Sequence, residues 1–418
     1  MIQGWKLKIL GEIAEVHSGG TPLTSRNEYW FGDIPWYSSG ELNETFTKTP
    51  KQLITPKGLE ESNAKIFPNG SLLIGMYDTA ALKMSILDRD AAFNQAIAGV
   101  KPNENIDLKF ILFAINSRRV EILNLRRGVR QKNLSLAKIK NIALPIPPLP
   151  EQKRIVAILD EAFEGIERAI ANTEKNLANS RELFESYLNA IFIQKGDGWV
   201  EKKLGDSELI QIIDGDRGTN YPQKSDFLNA GHCLFLNTKN VRPDGFNFET
   251  TMFITEEKDN FLRKGKLKRR DVILTTRGTI GNIAIYNDSV EFEHIRINSG
   301  MLIFRPNENL IKSEYLFEIL RSSIMKSQIE KFTSGAAQPQ LPIKTLVSFS
   351  FPVPISLEEQ SRIVSNLQEL STETQRLETI YRQKLVALNE LKQSILQKAF
   401  TGELTADTPK TVKEKIAA

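Results

Sequence analysis

Glu151-Gln152-Lys153-Arg154-Ile155-Val156 and Glu359-Gln360-Ser361-Arg362-Ile363-Val364 are two copies of one phrase, and each opens a long run with helical spacing. Gln152 and Gln360, Leu183 and Leu391, Ser186 and Ser394, and Phe192 and Phe400 are all 208 positions apart. A constant offset from Gln152 to Phe192 means that neither copy has gained or lost a residue, so the length itself is held fixed. At ~1.5 Å per residue each helix reaches on the order of 60 Å.

In the first run Ile155, Leu159, Ala162, Ile166, Ala169, Thr173, Leu177, Ser180, Phe184, Tyr187 and Ile191 step mostly by alternating fours and threes. This is a heptad seam with one irregularity at Thr173 to Leu177. The second run repeats it with Ile363, Leu367, Leu370, Thr374, Leu377, Tyr381, Leu385 and Leu388. Matching seams predict that the two helices pair with each other, and the globular segment between them makes an antiparallel pair the economical arrangement. Packing of each helix on its own globular domain is the alternative.

Outside the helices the repeat continues. Gly4-Trp5 with Leu10-Gly11 matches Gly198-Trp199 with Leu204-Gly205, and Ile54-Thr55 through Thr79 matches Ile254-Thr255 through Thr279. Ser71 to Ile74 and Met84 to Leu87 read as short strands, as do Asp271 to Leu274 and Asn282 to Ile285. Leu108 to Asn116 and Glu314 to Arg321 carry apolar residues at helical spacing. The proline-rich leads Leu144 to Pro150 and Phe351 to Pro354 read as stiff, extended entries to the long helices. The fold class is therefore α+β: two globular domains related by an internal repeat, separated by two long helices that form an antiparallel coiled coil. The expected segments are 1–149, the helix 150–195, 196–356, the helix 357–402, and a tail 403–418.

The 418 residues include 40% hydrophobic ones, enough for packed cores, and no apolar run has the ~20 residues of a membrane span. The start lacks the pattern of a signal peptide, so a cytoplasmic location without membrane association is expected. One cysteine, Cys233, excludes an internal disulfide, and His17, His232 and His294 are scattered, so no metal and no cofactor is expected. Asp244, Glu256 and Lys258 loosely match a metal-dependent nuclease pattern, but Thr255 reads as the N-cap of a helix that starts at Glu256, where such a site needs a strand. Arg277-Gly278-Thr279-Ile280-Gly281 lacks the lysine of a phosphate loop. No catalytic residue emerges.

Positive charge is clustered instead. Arg118, Arg119, Arg126, Arg127, Arg130, Lys132, Lys138 and Lys140 face only Glu121 in one run, and Arg263, Lys264, Lys266, Lys268, Arg269, Arg270 and Arg277 face only Asp271 in the other. One run in each repeat suggests phosphate contacts, although the net charge is only +4. Amides suited to reading bases recur beside them: Asn94, Gln95 and Asn298, and Gln131, Asn133, Gln338 and Gln340. Capping of turns by the same amides is the alternative.

Ser18-Gly19-Gly20-Thr21-Pro22, Tyr29-Trp30, Gly32-Asp33-Ile34-Pro35-Trp36-Tyr37, Leu144-Pro145-Ile146-Pro147-Pro148 and Glu151 to Val156 strongly resemble the specificity subunits of bacterial type I restriction-modification enzymes. The resemblance covers essentially the whole chain. It implies two target-recognition domains, each binding one half of a split sequence in double-stranded DNA, and a coiled coil that sets the gap. It also implies docking of two methyltransferase subunits and of restriction-translocase subunits, with an adenine methylated by the partners and no catalysis by this chain. The second half departs from the first at its opening, Asp214-Gly215-Asp216-Arg217-Gly218-Thr219-Asn220-Tyr221-Pro222, so the expected target is asymmetric.

DNA-contact candidates are Thr21, Arg26, Thr79, Asn94, Gln95, Arg126, Arg127, Arg130, Gln131 and Lys132 in the first half. In the second they are Arg217, Asn220, Lys239, Arg277, Thr279, Asn298, Gln338 and Gln340. Gln152, Arg154, Ile155, Leu159, Gln360, Arg362, Ile363 and Leu367 are the candidates for spacing and partner docking. Two rivals remain: a coiled-coil adaptor that binds proteins without DNA specificity, and an autonomous metal-dependent nuclease.

Overall fold

Short apolar runs bounded by turn residues become strands, and they do so twice in the same order. The computed structural model describes residues 4–124, 133–333 and 340–404. These fall into two units, Met1–Thr173 with Gln383–Ala418 and Glu174–Arg382. In the first unit Val16–Ser18, Ile97–Val100, Leu72–Gly75 and Met84–Ile86 form an antiparallel four-stranded sheet in that order. Gln52–Ile54, Trp30–Tyr37 and Ala92–Phe93 form a three-stranded mixed sheet. The second unit repeats both: Ile210–Asp214, Met301–Pro306, Val272–Thr275 and Ile283–Ile285, then Phe253–Ile254, Cys233–Leu236 and Ile295–Ile297.

The proline leads are more ordered than stiff linkers. Ala143–Ile146 pairs antiparallel with Lys6–Ile9, and Ser350–Pro354 pairs with Trp199–Lys203. Each is a two-stranded ribbon, where a proline with no N–H costs little. The repeated opening segment of each half thus clamps the strand that feeds the long helix.

The long helices run Leu149–Gln194 and Leu357–Thr401, 46 and 45 residues, or about 69 Å at the α-helical rise. Gly402, in the left-handed region at φ 81°, ends the second. Each unit contains the start of one helix and the end of the other, running antiparallel. In the first, Ile155 and Leu159 share a core with Leu396 and Ala399, and Lys392 is paired with Glu167. In the second, Leu188 and Phe192 share a core with Ile363 and Leu367, and Arg181 reaches Glu378 at 3.1 Å. Rings mark the same joint twice: Phe110 lies 5.2 Å from Phe400, and Tyr315 lies 5.7 Å from Phe192.

The seam differs from the expectation in both helices. Tyr187 and Leu377 are exposed, and Leu188 and Glu378 take their places. The inward positions run 177, 180, 184, 188 and 367, 370, 374, 378, an eleven-residue step that a strict heptad count misreads. Glu378 is tolerated there because Arg181 and Arg382 both bind it, and these bonds hold its carboxyl below the usual range.

The repeated glutamine is the joint between domain and helix. Gln152 is fully buried; its Oε1 accepts from Asp107 N at 2.9 Å and its Nε2 donates to Pro147 O at 2.9 Å. Gln360 repeats this with Lys312 N and Pro354 O, both at 2.9 Å. Each amide therefore ties the first turn of a long helix to the lead strand and to the start of the domain helix, Leu108–Ser117 or Ser313–Arg321. Ile155, Leu159, Ile363 and Leu367 are buried beside them. The side chains of these six residues, expected for spacing and partner docking, are used inside the fold. Arg154 and Arg362 remain exposed, each against a glutamate one turn away.

The second unit has a charged anchor as well. Asp259, on the helix Glu256–Phe261, is fully buried and binds the guanidinium of Arg296 and the ammonium of Lys266. Arg296 also donates to the backbone oxygens of Asp259 and Leu262 at 2.7 and 2.9 Å. Burial raises the Asp259 carboxyl, but Lys266 and Arg296 outweigh it and hold it below its ordinary 3.8. Cys233 is buried and its thiol is pushed up to about 12. Among the described residues no helix is long and apolar enough to cross a membrane.

Replacing Gln152 or Gln360 by alanine leaves a buried carbonyl and a half-buried N–H without partners, a cost of roughly 1–3 kcal/mol. Each variant should show an earlier denaturant midpoint, with Gln152→Ala and Gln360→Ala acting on different units; a shift under about 0.5 kcal/mol would remove the joint from this account. Asp259→Asn should cost about 3–5 kcal/mol, because Arg296 stays buried without its partner. As the folded carboxyl titrates lower than the unfolded one, its stabilising contribution is whole above the ordinary value and is lost only as pH falls below it. Acid unfolding of wild type and Asp259→Asn should converge in that low range; a difference that fades near neutrality would contradict the assignment.

Candidate nucleic-acid interface

In the first unit the glycine pair decides where Thr21 sits. A Cβ on Gly19 would fall 2.0 Å from Phe93 O and one on Gly20 2.2 Å from Asn63 C, so only glycines let this loop cross the strand ends. Gly20 N donates to Phe93 O at 2.9 Å, and the Thr21 hydroxyl bonds to the Gln95 amide oxygen. Met76 N donates to Ala96 O at 2.9 Å, and Leu134 N donates to Met76 O at 2.8 Å. Those bonds bring the turns carrying Thr79, Asn94–Gln95 and Asn133 to one end of the sheet.

The second unit builds the same frame. Thr276 N donates to Gly300 O at 2.8 Å and Leu341 N to Thr276 O at 3.0 Å. Arg277 and Gln340 form a β-bridge, and with Arg217 and Lys344 they line a cavity of about 260 Å³. Arg217 reaches Asp214 at 3.0 Å, and a Cβ on Gly300 would touch Thr238, Asn298 and Arg277. Three candidates, Arg217, Arg277 and Gln340, are therefore brought together, with Asn298 adjacent. Lys239 lies in the short 3₁₀ turn Thr238–Asn240 after the strand Cys233–Leu236, and Asn220 and Thr279 are exposed on turns.

Both readings of the asparagines have support. The Oδ1 of Asn94 accepts from Ala96 N at 3.1 Å and that of Asn298 from Gly300 N at 2.9 Å. Turn capping thus uses the oxygen of each, leaving the amide nitrogen as the group to offer a base. Arg26 is drawn elsewhere, donating to Tyr29 Oη at 2.7 Å with Glu28 and Glu61 within 3.8 Å. Arg126, Arg127, Arg130, Gln131, Lys132 and Gln338 lie outside the described residues.

The basic runs are partly consumed by the fold. Arg118 binds Glu121 and Arg119 bonds to Ala81 O, while Arg269 stacks 4.2 Å from the Tyr286 ring and donates to Val290 O. Arg263, Lys264 and Lys268, by contrast, border an open cavity of about 560 Å³ along Gln211–Asp214. The nuclease pattern does not assemble on a strand: Thr255 accepts from Lys258 N as an N-cap, and Lys258 Nζ binds Asp226 at 3.0 Å. Among the described residues no group of three or more His, Cys, Asp or Glu is placed to hold a metal.

Two positions were missed in the sequence. Tyr77 occupies in the first unit the place of Arg277 in the second, and Lys344 joins the Arg217 cavity. The offset of 200 that pairs Thr79 with Thr279 also pairs Tyr77 with Arg277, so the signal was present.

Comparison with known proteins agrees with this doubled frame. The family described as "Type I restriction modification DNA specificity domain" matches residues 2–176 and 196–386. The MjaIX specificity subunit of Methanocaldococcus jannaschii is 22% identical over 96% of this chain and 94% of its own length. The EcoBI specificity subunit of Escherichia coli is 24% identical over 93% of this chain and 81% of its own. Among solved structures, one reported under complex assembly and conformational transition of the type I R-M system shares the fold, with TM-score 0.77 and 20% identity over 96% of this chain and 99% of that one. The HsdS subunit from Thermoanaerobacter tengcongensis has TM-score 0.62 and 19% identity over 97% of this chain and 98% of that one. With two matched domains spanning most of its length, the chain belongs to the type I restriction-modification DNA specificity family and is a specificity subunit.

Proposed function

We propose that this subunit reads a bipartite, asymmetric DNA target, one half through each globular domain. The observation that carries this reading is that one backbone frame holds different side chains in the two units. Thr21 corresponds to Arg217, Tyr77 to Arg277, Gln95 to Ser299 and Asn133 to Gln340. Equivalent frames approach DNA in equivalent ways, and different donors and acceptors read different bases. Arg217 and Arg277 suit guanine or phosphate, and Thr21, Asn94 and Gln95, with Thr79 nearby, offer uncharged donors and acceptors to base edges; Arg126, Arg127, Arg130, Gln131 and Lys132 are proposed as further DNA contacts of the first half. Asn220, Lys239, Thr279, Asn298, Gln338 and Gln340 complete the second set.

In this reading the recognition domains span 1–149 and 196–356, and the helices 150–195 and 357–402 space two half-sites about one DNA turn, ~34 Å, apart. The exposed faces of the helices, with Arg154 and Arg362, carry the docking of two methyltransferase subunits, and restriction-translocase subunits join them in the cytoplasm. The chain itself is not an enzyme; a flipped adenine is methylated by the partners. A protein-binding adaptor would give no salt-dependent DNA affinity, which separates it from this proposal.

Footprinting of the full chain with its methyltransferase partner on its methylated target should show two protected blocks with an unread gap, and one continuous read block would overturn the proposal. Arg217→Ala and Arg277→Ala should each weaken binding roughly 10- to 100-fold through the second block alone, with the first unchanged. Inserting four residues, about one turn, at matching points of both helices should change the gap while leaving both half-sites as they are. An unchanged gap would remove the spacer role.

A further inference from the structure

The first unit carries an aromatic feature that the frame described above does not use. Trp30 and Ile34 both pair with Ile54, so residues 31–33 bulge out of the strand. A Cβ on Gly32 would fall 2.5 Å from Ile54 O, which presses the bulge against its neighbour and turns Phe31 outward. Phe31 adopts φ 64° and its residue surface is 88% exposed. An exposed aromatic in a left-handed conformation gains nothing from burial, and such strain concentrates at functional sites.

Behind Phe31 lies a cavity of about 450 Å³ walled by Trp30 and Trp36, with Asn27, Gln52 and Lys51 in its lining. The indoles are locked: Trp36 Nε1 donates to Gly20 O at 2.9 Å, Trp30 Nε1 to Leu23 O at 3.3 Å, and the rings meet edge to face at 5.2 Å. Thr21, bonded to Gln95, also lines it, so the cavity opens beside the candidate base-reading turn. The second unit shows what fits at this position. Phe235 stands where Trp36 stands, each one residue before the strand end that bonds to Asn298 N or Asn94 N, and its own chain covers it with the rings of Tyr221 at 5.8 Å and Phe227 at 5.4 Å.

We propose that this cavity takes one nucleobase unstacked from the half-site bound by the first unit. Trp30 supplies a stacking face, Phe31 is the wedge that enters the stack, Asn27 and Gln52 offer amides to the base edge, and Lys51 faces the flanking phosphate. Aromatic walls with two neutral amides and an ammonium suit a base on a phosphate chain better than an apolar protein side chain. The inference rests on the proposal that the first unit binds DNA.

The test uses the full chain assembled with its methyltransferase partner on its methylated target. 2-Aminopurine is placed at each position of the first half-site in turn, and thymines are probed with permanganate. Wild type should unstack one position there besides the methylated adenine. Phe31→Ala and Trp30→Ala should each reduce that signal roughly ten-fold, with the second footprint block and the methylated adenine unaffected. Phe31→Gly, which suits the left-handed backbone, keeps the result independent of folding. A footprint without any additional unstacked base, or with one indifferent to Phe31 and Trp30, overturns the inference and leaves DNA recognition standing; loss of the footprint in wild type overturns the DNA-binding proposal itself. Release of the methyltransferase by Phe31→Ala, with unstacking unchanged, would assign the cavity to the partner protein and also overturn the inference.

Discussion

The buried amides of Gln152 and Gln360 are the constraint on which the architecture depends. Each satisfies a half-buried backbone N–H at the start of a domain helix and a buried backbone carbonyl of the proline lead, where water has little access to the carbonyl. A shorter or more flexible side chain could not do both. The direction in which a long helix leaves its domain is therefore set by hydrogen bonds of fixed length, supported by the ribbon in which the lead strand pairs with the opening segment.

From that joint the helix pairing follows. Each unit needs the end of the helix begun by the other: Phe400 fills the position beside Phe110 that Phe192 fills beside Tyr315. Such reciprocal completion makes helix length a structural quantity, because a residue gained in one copy would move Phe192 or Phe400 around the helix and out of its core. The polar interior, with Thr173, Ser180 and Thr374 buried and Glu378 held between two arginines, contributes less to stability than leucine would. The Arg181–Glu378 pair, which crosses between the helices, narrows the registers that the two can adopt.

Much of this was legible in the sequence because an internal repeat, of constant offset through the long helices, acts as its own comparison. The long helices, the doubled organisation, four of the strands and the N-cap at Thr255 followed from offsets and periodicity, whereas the three-stranded sheets around Trp30–Tyr37 and Cys233–Leu236 did not. The seam positions 187 and 377 did not, because an eleven-residue step looks like a heptad with a defect until the partner helix shows which face is inward. The role of Gln152 was hidden for another reason: a polar residue in the first turn of a helix reads as solvated, and only packing reveals that its oxygen is wanted by a backbone N–H 45 positions earlier. A charge cluster does not show which of its members the fold uses: Arg118, Arg119 and Arg269 serve carbonyl oxygens and neighbouring side chains of their own domain, while Arg263, Lys264 and Lys268 border an open cavity.

At the candidate interface the separation between frame and chemistry is what the repeat makes visible. Backbone bonds at Met76 and Thr276, and at Leu134 and Leu341, are the same in both units, while the side chains they present are not. Backbone–backbone bonds are indifferent to side-chain identity, so Tyr77 and Arg277 can differ without disturbing the turn that carries them. The aromatic position shows the limit of that freedom: Trp36 and Phe235 are both buried against rings of their own chain, and Trp36 also borders a cavity. A frame that tolerates such exchange lets each unit alter what it reads without altering how it folds, provided that the glutamine joint and the length of the helices stay as they are.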